Sequence, residues 1–271
     1  MVVQFVLEHC EYVYMVSVPS ALSLLWGFTI VANAAAALRL YQLDLNRTYR
    51  FFFAYLVFAT ARSLILLPFD VRGAQYGIVY LATLPILWVF YILVVLELYS
   101  LVLQNYSGIY SLGRWTLYGA LVFSVAVSII TLIPSWGNET SRLMFWSTTV
   151  ERGVLFSLVI FLLLIFIFLS RYPVELNRNI IVHSIVYTVF FLGVSMTIFI
   201  RNVVGYEVAR EINNVVIVIS AACYMVWIFF LTRRGESRIV KLRHSWTEED
   251  EQRLIDQLNN INATLLRAAR R

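Results

Sequence analysis

The sequence predicts an all-α polytopic membrane protein, a bundle of seven transmembrane helices followed by a C-terminal cytoplasmic amphipathic helix. Three observations predict it. Hydrophobic residues are 61% of the 271 and charged residues 14%, against about 45–50% and about 25% in soluble domains. Mean hydropathy is +0.77. The apolar residues fall into seven long runs, without the alternation that marks a membrane strand.

The runs place spans at 19–40, 50–68, 76–103, 115–134, 143–169, 179–203 and 212–232. A helix needs roughly 20 residues to cross about 30 Å of hydrocarbon. The third and fifth runs are longer, so they are expected to tilt or to project beyond the bilayer. Short connections make neighbouring helices antiparallel and adjacent. Pro85 lies inside the third run and removes one backbone hydrogen bond there, either as a fixed bend or as a hinge.

Orientation follows from the basic residues. Arg39, Arg47, Arg50, Arg114, Arg171, Arg178, Arg233, Arg234, Arg238, Lys241 and Arg243 fall on one side. Arg72, Arg142, Arg152, Arg201 and Arg210 fall on the other. The tail residues decide the comparison. They put the C-terminus in the cytoplasm and the N-terminus outside, in a cell (inner) membrane. Met1 to Ser17 contains Glu8 and Glu11 but no basic residue, so the first span is expected to be retained rather than cleaved as a signal peptide.

Residues 1–235 form the predicted transmembrane domain and 236–271 the tail. In the tail, Thr247 is placed to cap a helix whose first turn is acidic. Leu254, Leu258, Ile261 and Leu265 then recur at helical spacing, giving an amphipathic helix of roughly six turns. Its apolar stripe is suited to docking on the bundle, to pairing with a second copy or another protein, or to lying in the headgroup layer. The basic run Arg233–Arg243 is expected to meet anionic lipid headgroups. The net charge of +5 is read as topology and lipid contact, not as nucleic-acid binding.

Charge inside a membrane is costly, so each such residue is a candidate for function. Arg62 sits about 9 Å from one edge of its span and Glu97 about 10 Å from the opposite edge of the next, at about 1.5 Å rise per residue. Their side chains are expected to share a polar network, as a structural ion pair or as an interior site. Glu151, Arg152 and Arg201 mark an outer rim of mixed charge, either solvated or forming a vestibule for a polar or zwitterionic ligand. His183 is the lone histidine within a span and is expected to hydrogen-bond a neighbouring helix.

Other chemistries find no residues to carry them. The single lysine, Lys241, lies in the tail, so a membrane Schiff base is excluded. No span contains Asp, and HExxH, GxSxG and glycine-rich phosphate loops are absent. A second histidine for haem is lacking, and Glu8, His9, Cys10 and Glu11 lack metal-ligand spacing. No cofactor, metal or catalytic constellation is expected. Residues 97–103 (ELYSLVL), 151–153 (ERG) and 262–270 (NATLLRAAR) resemble an uncharacterised group of seven-span proteins from acidobacteria, with likeness over most of the chain. That resemblance implies a bacterial inner-membrane protein and brings no activity. The leading functional expectation is a sensory, receptor-like or scaffolding protein. The alternative is a transporter or channel with a polar path through Arg62 and Glu97.

Overall fold

A computed structural model describes residues 21–69, 74–103, 142–171, 175–204, 209–237, 239–241 and 248–269, with scattered positions between 106 and 126. Within them the chain is almost wholly helical. The long helices are α1 (Ala21–Gln42), α2 (Arg50–Leu66), α3 (Ala74–Val102), α4 (Arg142–Arg171), α5 (Arg178–Val204) and α6 (Ala209–Phe230). Beyond them come the short α7 (Arg233–Ser237) and the tail helix α8 (Glu248–Ala269). Six of the seven expected spans thus correspond to helices. The fourth, 115–134, lies almost wholly outside the described residues.

Three helices are long and apolar enough to cross a bilayer, over Leu24–Gln42 in α1, Gln75–Val102 in α3 and Arg178–Thr197 in α5. Shorter apolar stretches occupy Gly153–Leu169 in α4 and Val215–Phe230 in α6. The periphery is apolar as well as the interior. Val31 is 66% exposed, Ile78 67% and Ile167 58%. Water would penalise such a surface, whereas lipid tails match it.

The long helices close a ring. α1 packs on α2 and α6, α2 on α3, α3 on α4 and α5, and α5 on α4 and α6. At the centre Phe52 of α2 meets the rings of His183 at 4.4 Å, Trp227 at 4.7 Å and Tyr187 at 5.5 Å. Tyr91 of α3 meets Tyr55 at 5.5 Å and Phe191 at 5.3 Å. Edge-on and tilted rings of this kind contribute beyond their buried area. α3 continues through Pro85.

Local chemistry explains the helix ends that matter for function. α1 stops because Asp44 adopts a left-handed conformation, φ 56°. The N–H of Leu45 then donates to the carbonyl of Leu40 at 3.0 Å, and that of Asp44 to Tyr41 at 3.1 Å. This is a Schellman closure with Asp in the place glycine usually takes, and its flanking Leu40 and Leu45 are both buried. The chain turns at once into α2, and α1 and α2 pack side by side.

One element departs from the all-α expectation. Residues Glu175–Asn177 (β1) and Ile239–Lys241 (β2) pair antiparallel, with Leu176 opposite Val240. The tail helix begins at Glu248 and spans 22 residues, in accord with the six turns read from its pattern. It packs against the segment that follows α3: Asn262 accepts a 2.7 Å hydrogen bond from the N–H of Gly108, and Leu258 is buried. Ile261, on the same stripe, remains 44% exposed.

Candidate functional site

Two polar sites lie at opposite ends of α2, separated by the aromatic centre. The first is a clasp at the end where α2 begins. Tyr49 occupies the N-cap position of α2 but makes no side-chain capping bond. The first N–H groups of a helix have no acceptor within it, so another element must supply one. Glu97, on the adjacent α3, does. Its carboxylate accepts from the N–H of Phe51 at 3.0 and 3.1 Å and from that of Phe52 at 3.1 Å. A carboxylate at a helix N-terminus is also favoured by the helix dipole. This accounts for the burial of a carboxylate only 8% exposed, with the Arg50 charge adding to the attraction.

Glu236 of α7 completes the clasp. It accepts from the Tyr49 hydroxyl at 3.1 Å, Asn177 Nδ2 at 3.2 Å and Asn179 Nδ2 at 3.0 Å. Asn179 in turn donates to the Thr232 carbonyl at 2.8 Å and accepts from the Thr232 N–H at 3.3 Å. Gly235 is required beside it, since a Cβ there would collide with Asn179 Oδ1. Residues 232–241 are thereby tied to the starts of α2 and α5, and the domain boundary drawn at 235/236 falls within the clasp. Of the basic run expected at anionic lipid, Arg233 pairs with Asp44 at 3.7 Å, both side chains being more than 70% exposed. Such a pair contributes little stability.

Burial, and then the Glu236 charge and hydrogen bond, hold the Tyr49 phenol well above the ordinary value of 10.0. A folded-state value raised in this way gives stability that is complete below the ordinary value and declines as pH rises through it. The stability of the purified protein is therefore expected to fall above pH 10.0, and Tyr49→Phe is expected to flatten part of that decline. Thermal unfolding of both proteins across this range is the measurement. Parallel curves would show that Tyr49 does not contribute.

The second site surrounds Arg62, towards the far end of α2. Its Nε donates to Thr83 Oγ1 at 2.8 Å. Thr83 is oriented by its own bonds to the Val79 and Tyr80 carbonyls, at 2.8 and 3.0 Å. The guanidinium lies 4.4 Å from the Tyr80 ring centre, a cation–π distance. One terminal nitrogen, NH2, is buried with no hydrogen-bond partner. Beside it is a cavity of about 230 Å³ among α1, α2, α3, α5 and α6. Asn33, Tyr55, Arg62, Tyr91, Ser220 and Tyr224 contribute to its wall. Asn33 is 5% exposed, and its Oδ1 has no partner. The Tyr55 and Tyr224 hydroxyls lie 3.3 Å apart.

The expected network between Arg62 and Glu97 is not formed. Arg62 bonds Thr83 and Glu97 caps α2, and these two α3 positions are about 21 Å apart along the helix. No pair of side chains spans that gap. The carboxylate electrostatically close to the Arg62 environment is instead Glu151 of α4. Both residues act on Tyr80 and Tyr91. Arg152 and Arg201 lie on α4 and α5, and their side chains fall outside the described residues. Cys10 and the other residues preceding α1 also fall outside them. His183 lies in the aromatic centre. It is 1% exposed with Nδ1 unpartnered, and its ring lies against those of Phe52 and Tyr187.

Sequence reasoning did not single out Asn33, Asn177, Asn179 or Glu236. Asn33 had a readable signal, as a carboxamide inside an apolar run. The Asn177–Asn179 pair and Glu236 sit in polar connections, where nothing distinguishes a buried side chain from a solvated one. Among the described residues no cluster suited to a metal ion occurs. Comparison with protein-family models, with curated proteins and with solved structures gives no match.

Proposed function

We propose that this chain is a seven-span membrane sensor, in which a pocket near Arg62 takes a small ligand and the docked tail relays its occupancy. The pocket faces the outer half of the bilayer and the clasp the cytoplasm, in a cell (inner) membrane. The observation that carries the reading is the double attachment of α2. Tyr55, Ala59, Arg62 and Ser63 line the pocket, while Tyr49, Phe51 and Phe52 at its other end bond Glu236 and Glu97. A ligand that shifts α2 therefore acts on the element holding residues 232–241. The aromatic centre between the two sites favours sensing over a transport path, because Phe52, Tyr187 and Trp227 are fully packed there.

Ser220→Phe fills the pocket without a ligand and tests the relay. Spin labels at Arg47 and Asn259 report the distance from the bundle to α8. The distance distribution is expected to change in Ser220→Phe. In Gly108→Ala it is expected to broaden, since a Cβ there would stand 2.6 Å from the Asn262 carbonyl oxygen. An unchanged distribution in folded, monodisperse Ser220→Phe would overturn the relay. Solute uptake by proteoliposomes that Arg62→Gln abolishes would replace sensing with transport.

A further inference from the structure

We propose that the Arg62 pocket binds a neutral, ring-bearing molecule that carries a carbonyl oxygen and an adjacent N–H or O–H donor, the chemistry of a simple aromatic amide or lactam. The assignment rests on the sensor reading for its biological purpose, and on the pocket alone for its chemistry.

Two orphaned polar atoms specify the polar edge of the ligand. Arg62 NH2 is a buried donor without an acceptor, and Asn33 Oδ1 is a buried acceptor without a donor. Leaving such groups unmet is costly, and a molecule presenting C=O beside N–H satisfies both. Both residues line the same cavity of about 230 Å³, so one small molecule reaches both once the two side-chain ends turn into it. This volume is below the usual range for drug-sized ligands, about 300–1,000 Å³, which limits the body to a single ring or a compact fused pair.

The remaining wall specifies that body. Tyr55, Tyr91, Phe190 and Tyr224 present aromatic surface, and Ile30, Leu87 and Ile217 present aliphatic surface. Planar apolar groups pack well against such rings. Charge argues for neutrality. Arg62 is the one cationic side chain in the wall, and the Glu151 carboxylate already acts on the same tyrosines, Tyr80 and Tyr91. An added anion would gain less from Arg62 than it would without that carboxylate nearby, and would still be desolvated on entry.

The test is the thermal stability of detergent-purified protein with four probes of one ring size: benzamide, N,N-dimethylbenzamide, benzoate and ethylbenzene. Benzamide is expected to raise the midpoint by about 5 °C at saturation. Dimethylbenzamide, which lacks the donor, is expected to bind about five- to tenfold more weakly, the difference made by one hydrogen bond. Benzoate and ethylbenzene are expected to be weaker still. Asn33→Leu should abolish the difference between the two amides while leaving the unliganded midpoint close to wild type, since Asn33 Oδ1 has no partner to lose. Equal shifts from all four probes would mean apolar filling only, and would overturn the assignment. Benzoate as the strongest probe would overturn its neutrality. No shift from any probe would mean a pocket occupied by water. Binding of benzamide without movement of α8 would leave the ligand class standing and remove the relay. Movement in Ser220→Phe without benzamide binding would do the reverse.

Discussion

Replacing Glu97 with alanine is expected to cost about 3–4 kcal/mol of stability. The carboxylate satisfies the N–H groups of Phe51 and Phe52, and each buried donor left unmet costs about 1–3 kcal/mol. Loss of the charge at the start of α2 adds roughly 0.3–1 kcal/mol. Glu97→Gln keeps one acceptor oxygen and is expected to fall between alanine and wild type. Unfolding in mixed micelles gives both differences. If glutamine and alanine prove equal to wild type, Glu97 does not cap α2, and a solvated or transported-ion role for it returns.

Glu236→Ala is expected to cost about 2–3 kcal/mol, but locally. Three donors lose their common acceptor: the Tyr49 hydroxyl, Asn177 Nδ2 and Asn179 Nδ2. Hydrogen bonds to charged groups contribute about 1.5–3 kcal/mol each, and Asn179 keeps its bond to the Thr232 carbonyl. The effect should appear as faster amide exchange over 232–241 and faster tryptic cleavage within 233–243. The midpoint of the long helices should change little. Uniform destabilisation of α1 to α6, with no preferential opening of these residues, would show that the clasp is part of the core rather than a latch upon it.

The helices were legible in the sequence because length and apolarity decide them. The expected spans 50–68 and 179–203 correspond to α2 at Arg50–Leu66 and α5 at Arg178–Val204. The tail helix was legible for a different reason, a 3.6-residue stripe bounded by acidic and basic ends. What escaped was pairing. Arg62 and Glu97 are each the conspicuous charge of an adjacent helix, and proximity in sequence pattern suggested one network. The antiparallel packing instead carries Arg62 to Thr83 and Glu97 to the opposite end of α2. A backbone N–H is an invisible partner in a sequence, since every residue but proline has one. The same blindness hid Glu236, whose environment is made by residues 59 and 187 positions away. The β1–β2 pair, at three residues per strand, is too short to leave any periodicity.

The borrowed cap of α2 also bears on how this chain is made. The first turn of α2 lacks its own acceptor, and the group that supplies it arrives 46 residues later, close to the end of α3. Until then α2 itself offers those amides no acceptor. α2 and α3 are therefore expected to leave the insertion machinery as one hairpin, released into lipid together rather than in succession.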